Sequence, residues 1–206
     1  MPANVELSGC IALAIVVATV LAQGVTASAL SASATRYAVV TIVLLVGLAM
    51  PVAGVPLIAH IRGVFGDPSV PTVLVALMAS AQRIGGMRVT QQRDQRALAA
   101  VAIALGVLVY PFALGIGAFD PYRLGFGVWW AVIIVLTIAL LAIVTRRPLT
   151  AVALSAAVLA WGIGIYASNN LIDYLFDPLL VVWGLDIVIT SRKRAIVNAK
   201  RPNSRL

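Results

Sequence analysis

Apolar stretches of about 20 residues recur along the chain and are separated by short polar or basic segments. One such stretch, when helical, is long enough to cross the hydrocarbon core of a bilayer. The pattern predicts an all-α, polytopic integral membrane protein, with about six transmembrane helices in a single membrane domain over 1–206. The predicted spans cover residues 7–29, 38–60, 97–119, 126–145, 149–167 and 171–190.

The segment 61–96, between the second and third spans, is too long for a simple turn. It contains about a dozen mostly apolar residues after an Asp-Pro pair, which predicts a short helix over 71–83. The pattern favours a helix lying in the cytoplasmic interface, and the alternative is a re-entrant half-helix. Pro51 and Pro56 in the second span each remove a helix hydrogen bond, so we expect a kink or a break there.

Composition supports membrane insertion, since hydrophobic residues are 62% and charged residues 11% of the chain. In soluble domains hydrophobic residues are about 45–50% and charged residues about 25% of the chain. With both termini in the cytoplasm, only Arg36 and Arg123 of the 15 basic residues fall outside, as the positive-inside rule requires. The residues 191–206 then form a basic cytoplasmic tail. The Ala-, Val-, Leu- and Arg-rich composition favours a bacterial inner (cytoplasmic) membrane.

The net charge of +8 does not call for nucleic acid, because no nucleic-acid-binding motif is present. Basic residues at cytoplasmic helix ends instead neutralise anionic lipid headgroups, each contributing about 1 kcal/mol near the surface. The expected partners are therefore membrane lipids and, under the function favoured below, a larger membrane protein.

Polar residues concentrate in the two outer loops that flank the fourth, fifth and sixth spans. Asp120 and Asp177 each precede a proline, a pattern typical of a helix N-cap. Asn169, Asp173 and Asp177 are four residues apart and would share one face of a continuous helix. The predicted ligand or partner contacts are Asp120, Tyr122, Arg123, Asn169, Asn170, Asp173 and Asp177.

Three roles are open for this outer cluster: a structural tie between loops, a site for a hard cation, or a site for a polar headgroup. Arg123 is the expected counter-charge for the carboxylates. Asp186 lies on a different face, near the cytoplasmic end of the sixth span. It is predicted to form an inner ion pair with Arg146 or Arg147, or with Arg192 or Arg194.

A catalytic site is not identifiable from the sequence. One cysteine and one histidine exclude a conventional zinc or iron–sulfur site within the chain, so we expect no metal and no cofactor. The leading hypothesis is a non-catalytic accessory subunit that docks to a larger envelope enzyme or transporter. The first alternative is a small transporter or headgroup-binding protein that uses the outer cluster. The second is a metal-assisted enzyme acting on lipid headgroups.

Overall fold

The computed structural model describes residues 3–27, 33–86, 90–117, 120–127 and 129–199. Within these ranges the chain is helical apart from turns and one small hairpin. The described elements, in chain order, are α1 (Ala3–Ala27), α2 (Ala34–Ala49), β1 (Pro51–Val52), β2 (Val55–Pro56), α3 (Leu57–Phe65), α4 (Val70–Gly85), α5 (Gln92–Ala113), a 3₁₀ helix (Pro121–Gly125), α6 (Trp129–Val144), α7 (Pro148–Gly162), α8 (Leu171–Leu175) and α9 (Pro178–Ala199).

Two predicted spans are divided between shorter elements. The range 38–60 contains most of α2, the β1–β2 hairpin and the start of α3. The hairpin turns through Ala53 and Gly54, whose φ angles of 52° and 82° are typical of a two-residue hairpin turn. The range 171–190 is likewise divided between α8 and α9, because Phe176 is extended and Pro178 begins a new helix.

The hydrogen bonds between helices define two ends of the bundle. At one end the carboxylate of Asp177, before α9, accepts from the Ser69 N–H and the Thr72 hydroxyl of α4, at 2.7 and 2.9 Å. At the other end the buried carboxylate of Asp94, in α5, accepts from the backbone N–H of Leu149 at the start of α7, at 2.8 Å. Both carboxylates therefore satisfy N–H groups at a helix N-terminus that has no intrahelical acceptor.

We name these two ends by the charged residues that the described elements place there. The acidic end carries Glu6, Arg62, Asp67, Asp120, Arg123, Asp173 and Asp177. The basic end carries Arg36, Arg83, Arg93, Asp94, Arg96, Arg146, Arg147, Asp186, Arg192 and Lys193. The helices α1, α4, α6 and α9 run from the acidic end to the basic end, and α2, α5 and α7 run in the opposite direction.

Helix α4 does not lie across one end of the bundle, as a short helix in the cytoplasmic interface would. Its first turn is fastened to Asp177 at the acidic end, and its last turn approaches the basic end, where Gln82 donates to Thr90. Between these points α4 packs against α1, α2 and α7, and Ala76 is buried. The helix itself was predicted, but it runs through the depth of the bundle instead of across its surface.

The first and last described helices bear on the prediction that both termini share one side, although residues 1–2 and 200–206 lie outside the described residues. Near the start of α1, the Ser8 hydroxyl donates to the carbonyl of Ile165, which follows α7 at the acidic end. Near the middle of α9, Ser191 accepts from Gln92 and Arg96 at the basic end, at 3.2 and 3.0 Å. The beginning of α1 and the second half of α9 therefore lie at opposite ends of the bundle.

Small residues are frequent in the interior, and many large apolar residues are exposed on the outside. Alanine is the most frequent hydrophobic residue in the core of the described part. On α6, Ile133, Leu140 and Leu141 are each about 60% exposed. Two described helical stretches, Val5–Thr26 and Gln92–Ala113, are long and apolar enough to cross a membrane. Four further apolar helices, α2, α4, α6 and α7, have 15 or 16 residues.

Replacing Asp177 with alanine should destabilise the fold much more than the same change at Asp120. Asp177 accepts bonds at the starts of both α4 and α9, including one of 2.7 Å from the Leu180 N–H, whereas exposed Asp120 caps only the 3₁₀ helix. We expect Asp177→Ala to cost about 2–4 kcal/mol and Asp120→Ala about 1 kcal/mol or less. Thermal unfolding in detergent measures the order. Equal midpoints for the two variants would contradict it.

Candidate functional site

A cavity of about 360 Å³ opens at the acidic end of the bundle. Its wall is built from the end of α3, the end of α5, the 3₁₀ helix, α8 and the start of α9. The lining combines three carboxylates, three tyrosines and several apolar side chains. The lining residues used below are Phe65, Asp67, Tyr110, Tyr122, Tyr166, Ser168, Asp173, Phe176 and Asp177.

Asp173 is held in this wall by hydroxyl groups. The Tyr122 hydroxyl lies 2.9 and 2.8 Å from the two carboxylate oxygens, and the Ser168 hydroxyl donates to Oδ2. Burial, and then the bond to Asp173, raise the pKa of Tyr122 to about 12. Tyr122 therefore keeps its proton at neutral pH and acts as a donor to the carboxylate.

Asn170 fastens the two loops that carry these residues. Its side-chain amide donates to the carbonyl of Tyr122 at 2.9 Å, and its Oδ1 accepts from the N–H of Ile172 at 2.9 Å. Its backbone also forms an isolated β-bridge with Phe126. Asn170 is fully buried, so these bonds fix the distance between the 3₁₀ helix and α8.

Two further tyrosines brace the loop between α7 and α8. The rings of Tyr166 and Tyr174 stack with centroids 5.1 Å apart. The Tyr174 hydroxyl accepts from the N–H of Tyr166 at 3.0 Å and lies 3.1 Å from the carbonyls of Tyr166 and Ser168. Burial is the main cause that raises the pKa of both tyrosines. The loop thus presents Ser168 to the cavity from a rigid base.

Several residues of the cavity wall are not among the predicted contacts, including Asp67, Tyr110, Tyr166 and Ser168. Asp67, in the Asp-Pro pair before α4, lines the cavity and forms an ion pair with Arg62, with N–O distances of 2.5 and 3.0 Å. The spacing of five residues between Arg62 and Asp67 gave a weak signal for this pair. Tyr110, on α5, also lines the cavity, and its buried hydroxyl oxygen has no hydrogen-bond partner in the described part of the chain.

The predicted contact residues are only partly brought together. Tyr122, Asp173 and Asp177 line the cavity, and Asn170 lies behind it. Asp120 accepts from the Tyr122 N–H at 3.0 Å and caps the 3₁₀ helix, as its Asp-Pro pair predicts. The Asn169 side chain is exposed, and its carbonyl accepts from Trp161 at 2.9 Å.

Two predicted charge pairings are not present among the described side chains, which do not include that of Arg194. Arg123 is exposed, and its side chain makes no bond to any described residue, so the carboxylate of Asp173 is bound by hydroxyls and not by that guanidinium. Asp186 accepts from Thr190 at 3.3 Å. Arg147 donates instead to the carbonyl of Arg93, at 2.7 Å, and Arg146 occupies a turn with a φ of 55°. Arg62–Asp67 is the only ion pair among the described side chains, which exclude those of residues 3–4 and 194–199.

No group of three or more His, Cys, Asp or Glu side chains suited to a metal ion occurs within the described residues. Asp67, Asp173 and Asp177 therefore line one cavity without converging on one point. Comparisons with protein-family models, with curated proteins and with solved structures find no match for this chain.

Gly125→Ala should disrupt the loops around the cavity. A Cβ at this position would overlap the amide group of Asn170 and lie 2.9 Å from Ile172. Asn170 would have to move and release Tyr122, which we expect to cost roughly 1–3 kcal/mol. Gly47→Ala on α2 is the control, since a Cβ there meets nothing within 4 Å. Thermal unfolding should show a lower midpoint for Gly125→Ala alone, and equal midpoints would contradict the role of Asn170.

Proposed function

We propose that this is a membrane-embedded binding protein that crosses the bilayer seven times and holds a polar ligand group in the cavity at its acidic end. The observation that carries the proposal is the cavity itself. It places carboxylate and hydroxyl groups beside aromatic rings in a bundle whose outside is apolar. Concave sites with a few convergent polar groups in an apolar wall are typical of small-molecule binding.

The distribution of residue sizes supports a bilayer around the bundle. A protein in water would place Ile and Leu inside, but here exposed Ile and Leu side chains surround a core rich in alanine. Helices in membranes commonly pack through small residues, because lipid tails solvate the large ones equally well.

The helix directions support seven crossings in place of the predicted six. Helices α1, α2, α4, α5, α6, α7 and α9 each run between the acidic and basic ends. A helix of 16 residues rises about 24 Å, somewhat less than the hydrocarbon thickness of about 30 Å. Local thinning of the bilayer and flanking polar residues accommodate such a difference at modest cost. The basic end then faces the cytoplasm.

The cavity suits an amphipathic ligand. Its polar groups lie on Asp173, Ser168 and Tyr122, and its apolar wall includes Val109, Ala113 and Phe176. A lipid headgroup with the first carbons of its chains offers the same combination. A small polar solute with an apolar portion also fits a volume of about 360 Å³.

Transport is the second candidate, and a cavity at the basic end favours it. This cavity is also about 360 Å³ and is lined by polar residues that include Gln92, Asp186 and Thr190. A small void of about 50 Å³ next to it extends between α4 and α9 as far as Val75 and Trp183. The polar spaces at the two ends thus lie along the same helices.

The topology predicts which side of the membrane each position faces. In intact cells and in a Cys10→Ala background, an impermeant thiol reagent should label Glu6→Cys and Arg123→Cys but not Arg36→Cys or Arg147→Cys. The native side chains of Glu6, Arg36 and Arg123 are exposed in the structure, and that of Arg147 is partly exposed. Six crossings with both termini inside give the reverse pattern at positions 6 and 36. That reverse pattern would exclude the seven-crossing proposal.

Binding in the cavity predicts a retained ligand. After purification in mild detergent, mass spectrometry should find one small polar molecule or lipid per protein. Asp173→Asn should release it, because the carboxylate lies in the cavity wall. Asp120→Asn, at the same end but outside the lining, should retain it. A stoichiometric larger protein and no small molecule would favour the accessory-subunit hypothesis instead.

Transport predicts that the middle of the path opens to water from both sides. Trp183→Cys, in a Cys10→Ala background, should then react with small impermeant reagents added on either side of reconstituted vesicles. Val182→Cys, whose native side chain is 64% exposed toward the surrounding lipid, is the control and should react from neither side. Reaction at position 183 from the basic end alone would indicate binding without transport.

A further inference from the structure

We infer that the ligand group held in the acidic-end cavity is a positively charged nitrogen, a primary or methylated ammonium, supplied as a free amine or as a lipid headgroup. This inference rests on the proposed binding function and narrows it to one chemical class. Three features of the cavity carry it: its charge, its unused hydrogen-bond acceptors and its aromatic wall.

The first feature is an excess of negative charge. Asp67, Asp173 and Asp177 all line the cavity, and the lining contains no Lys, Arg or His. Arg62 neutralises Asp67 from outside the lining. Asp173 and Asp177 have no ion-pair partner among the described residues. Charges near a low-dielectric environment are costly unless they are paired, so a cationic ligand is favoured and a phosphate or carboxylate is repelled.

The second feature is a set of unused acceptors. An ionised carboxylate has about four acceptor sites. The described bonds to Asp173 come from only two hydroxyls, those of Tyr122 and Ser168. The Tyr110 hydroxyl is buried, lines the same cavity and has no partner in the described part of the chain. An ammonium group carries hydrogen-bond donors and no acceptor, so it can bind to the acceptor sites that have no donor in the protein.

The third feature is the aromatic wall. Tyr110 and Phe176 lie with ring centroids 5.5 Å apart at an interplanar angle of 50°, and both line the cavity. Tyr122 and Tyr166 add further rings to the lining. Aromatic faces attract cations within about 6 Å, and rings together with carboxylates form a favourable environment for a methylated ammonium. A neutral polyol would use the acceptors but would leave the carboxylate of Asp173 without a cationic partner.

The test uses the full chain in nanodiscs of phosphatidylglycerol, which contains no ammonium. Calorimetry and thermal unfolding are measured with choline, ethanolamine, glycerol and inorganic phosphate, each added separately. We expect choline or ethanolamine to bind and to raise the unfolding midpoint, and glycerol and phosphate to do neither. Nanodiscs containing phosphatidylethanolamine distinguish the source, because a lipid headgroup in the cavity would block the free amines from binding.

Two variants locate the site. Asp173→Asn should weaken ammonium binding at least tenfold, while Asp120→Asn should leave it unchanged. Tyr110→Phe should weaken binding severalfold without lowering the unfolding midpoint, since its hydroxyl makes no bond within the described protein. That variant keeps the test decisive if Asp173→Asn does not fold.

The remaining outcomes separate the two proposals. Glycerol binding as tightly as the amines, with loss in Asp173→Asn, would overturn the ammonium inference and leave the binding function intact. Amine binding unchanged in both Asp173→Asn and Tyr110→Phe would place the amine elsewhere and overturn the inference. No binding of any probe, together with no ligand retained on purification, would overturn both.

Discussion

The carboxylate of Asp177 is the contact on which the arrangement of the bundle depends. It receives the N–H of Ser69, the hydroxyl of Thr72 and the N–H of Leu180, and so joins the starts of α4 and α9 across more than 100 residues of sequence. Donors at a helix start in apolar surroundings need an acceptor, and a carboxylate also opposes the positive ends of both helix dipoles. Because α4 begins beside α9, it runs parallel to α9, and the number of helices running between the two ends becomes odd.

The sequence was informative where the causes were local. Apolar runs predicted helices over most of α1, α5, α6 and α7, and the Asp-Pro pairs predicted caps at Asp120 and Asp177. The position of α4 in the bundle depends on contacts with residues that are distant in sequence. Its short apolar run suggested an interfacial helix, and only the contact of Ser69 with Asp177 reveals that it lies inside the bundle. Neither the hydrophobic periodicity nor the length of an apolar run can predict a contact between residues 108 positions apart.

Only some of the predicted contact residues line the cavity, because its geometry also depends on contacts that are distant in sequence. The spacing of Asp173 and Asp177 suggested one helical face, but extended Phe176 separates them, so each carboxylate has a different set of donors. The sequence predicts Arg123 as the counter-charge because it is one of only two basic residues that six crossings place outside. In the structure the ion pair is instead Arg62–Asp67, because the last turn of α3 lies at the acidic end and carries Arg62. Only the three-dimensional structure reveals that the Tyr110 hydroxyl is buried and has no hydrogen-bond partner among the described residues.

Charge asymmetry alone does not decide between six and seven crossings. Six crossings leave Arg36 and Arg123 outside, and the proposed seven leave Arg62 and Arg123 outside, so either arrangement places the other 13 of the 15 basic residues inside. The difference lies in what surrounds those residues. In the proposed arrangement Arg62 is neutralised by Asp67, and five of the seven acidic residues lie at the outer end. The contacts that set the helix directions in the proposed arrangement therefore also gather negative charge around the cavity.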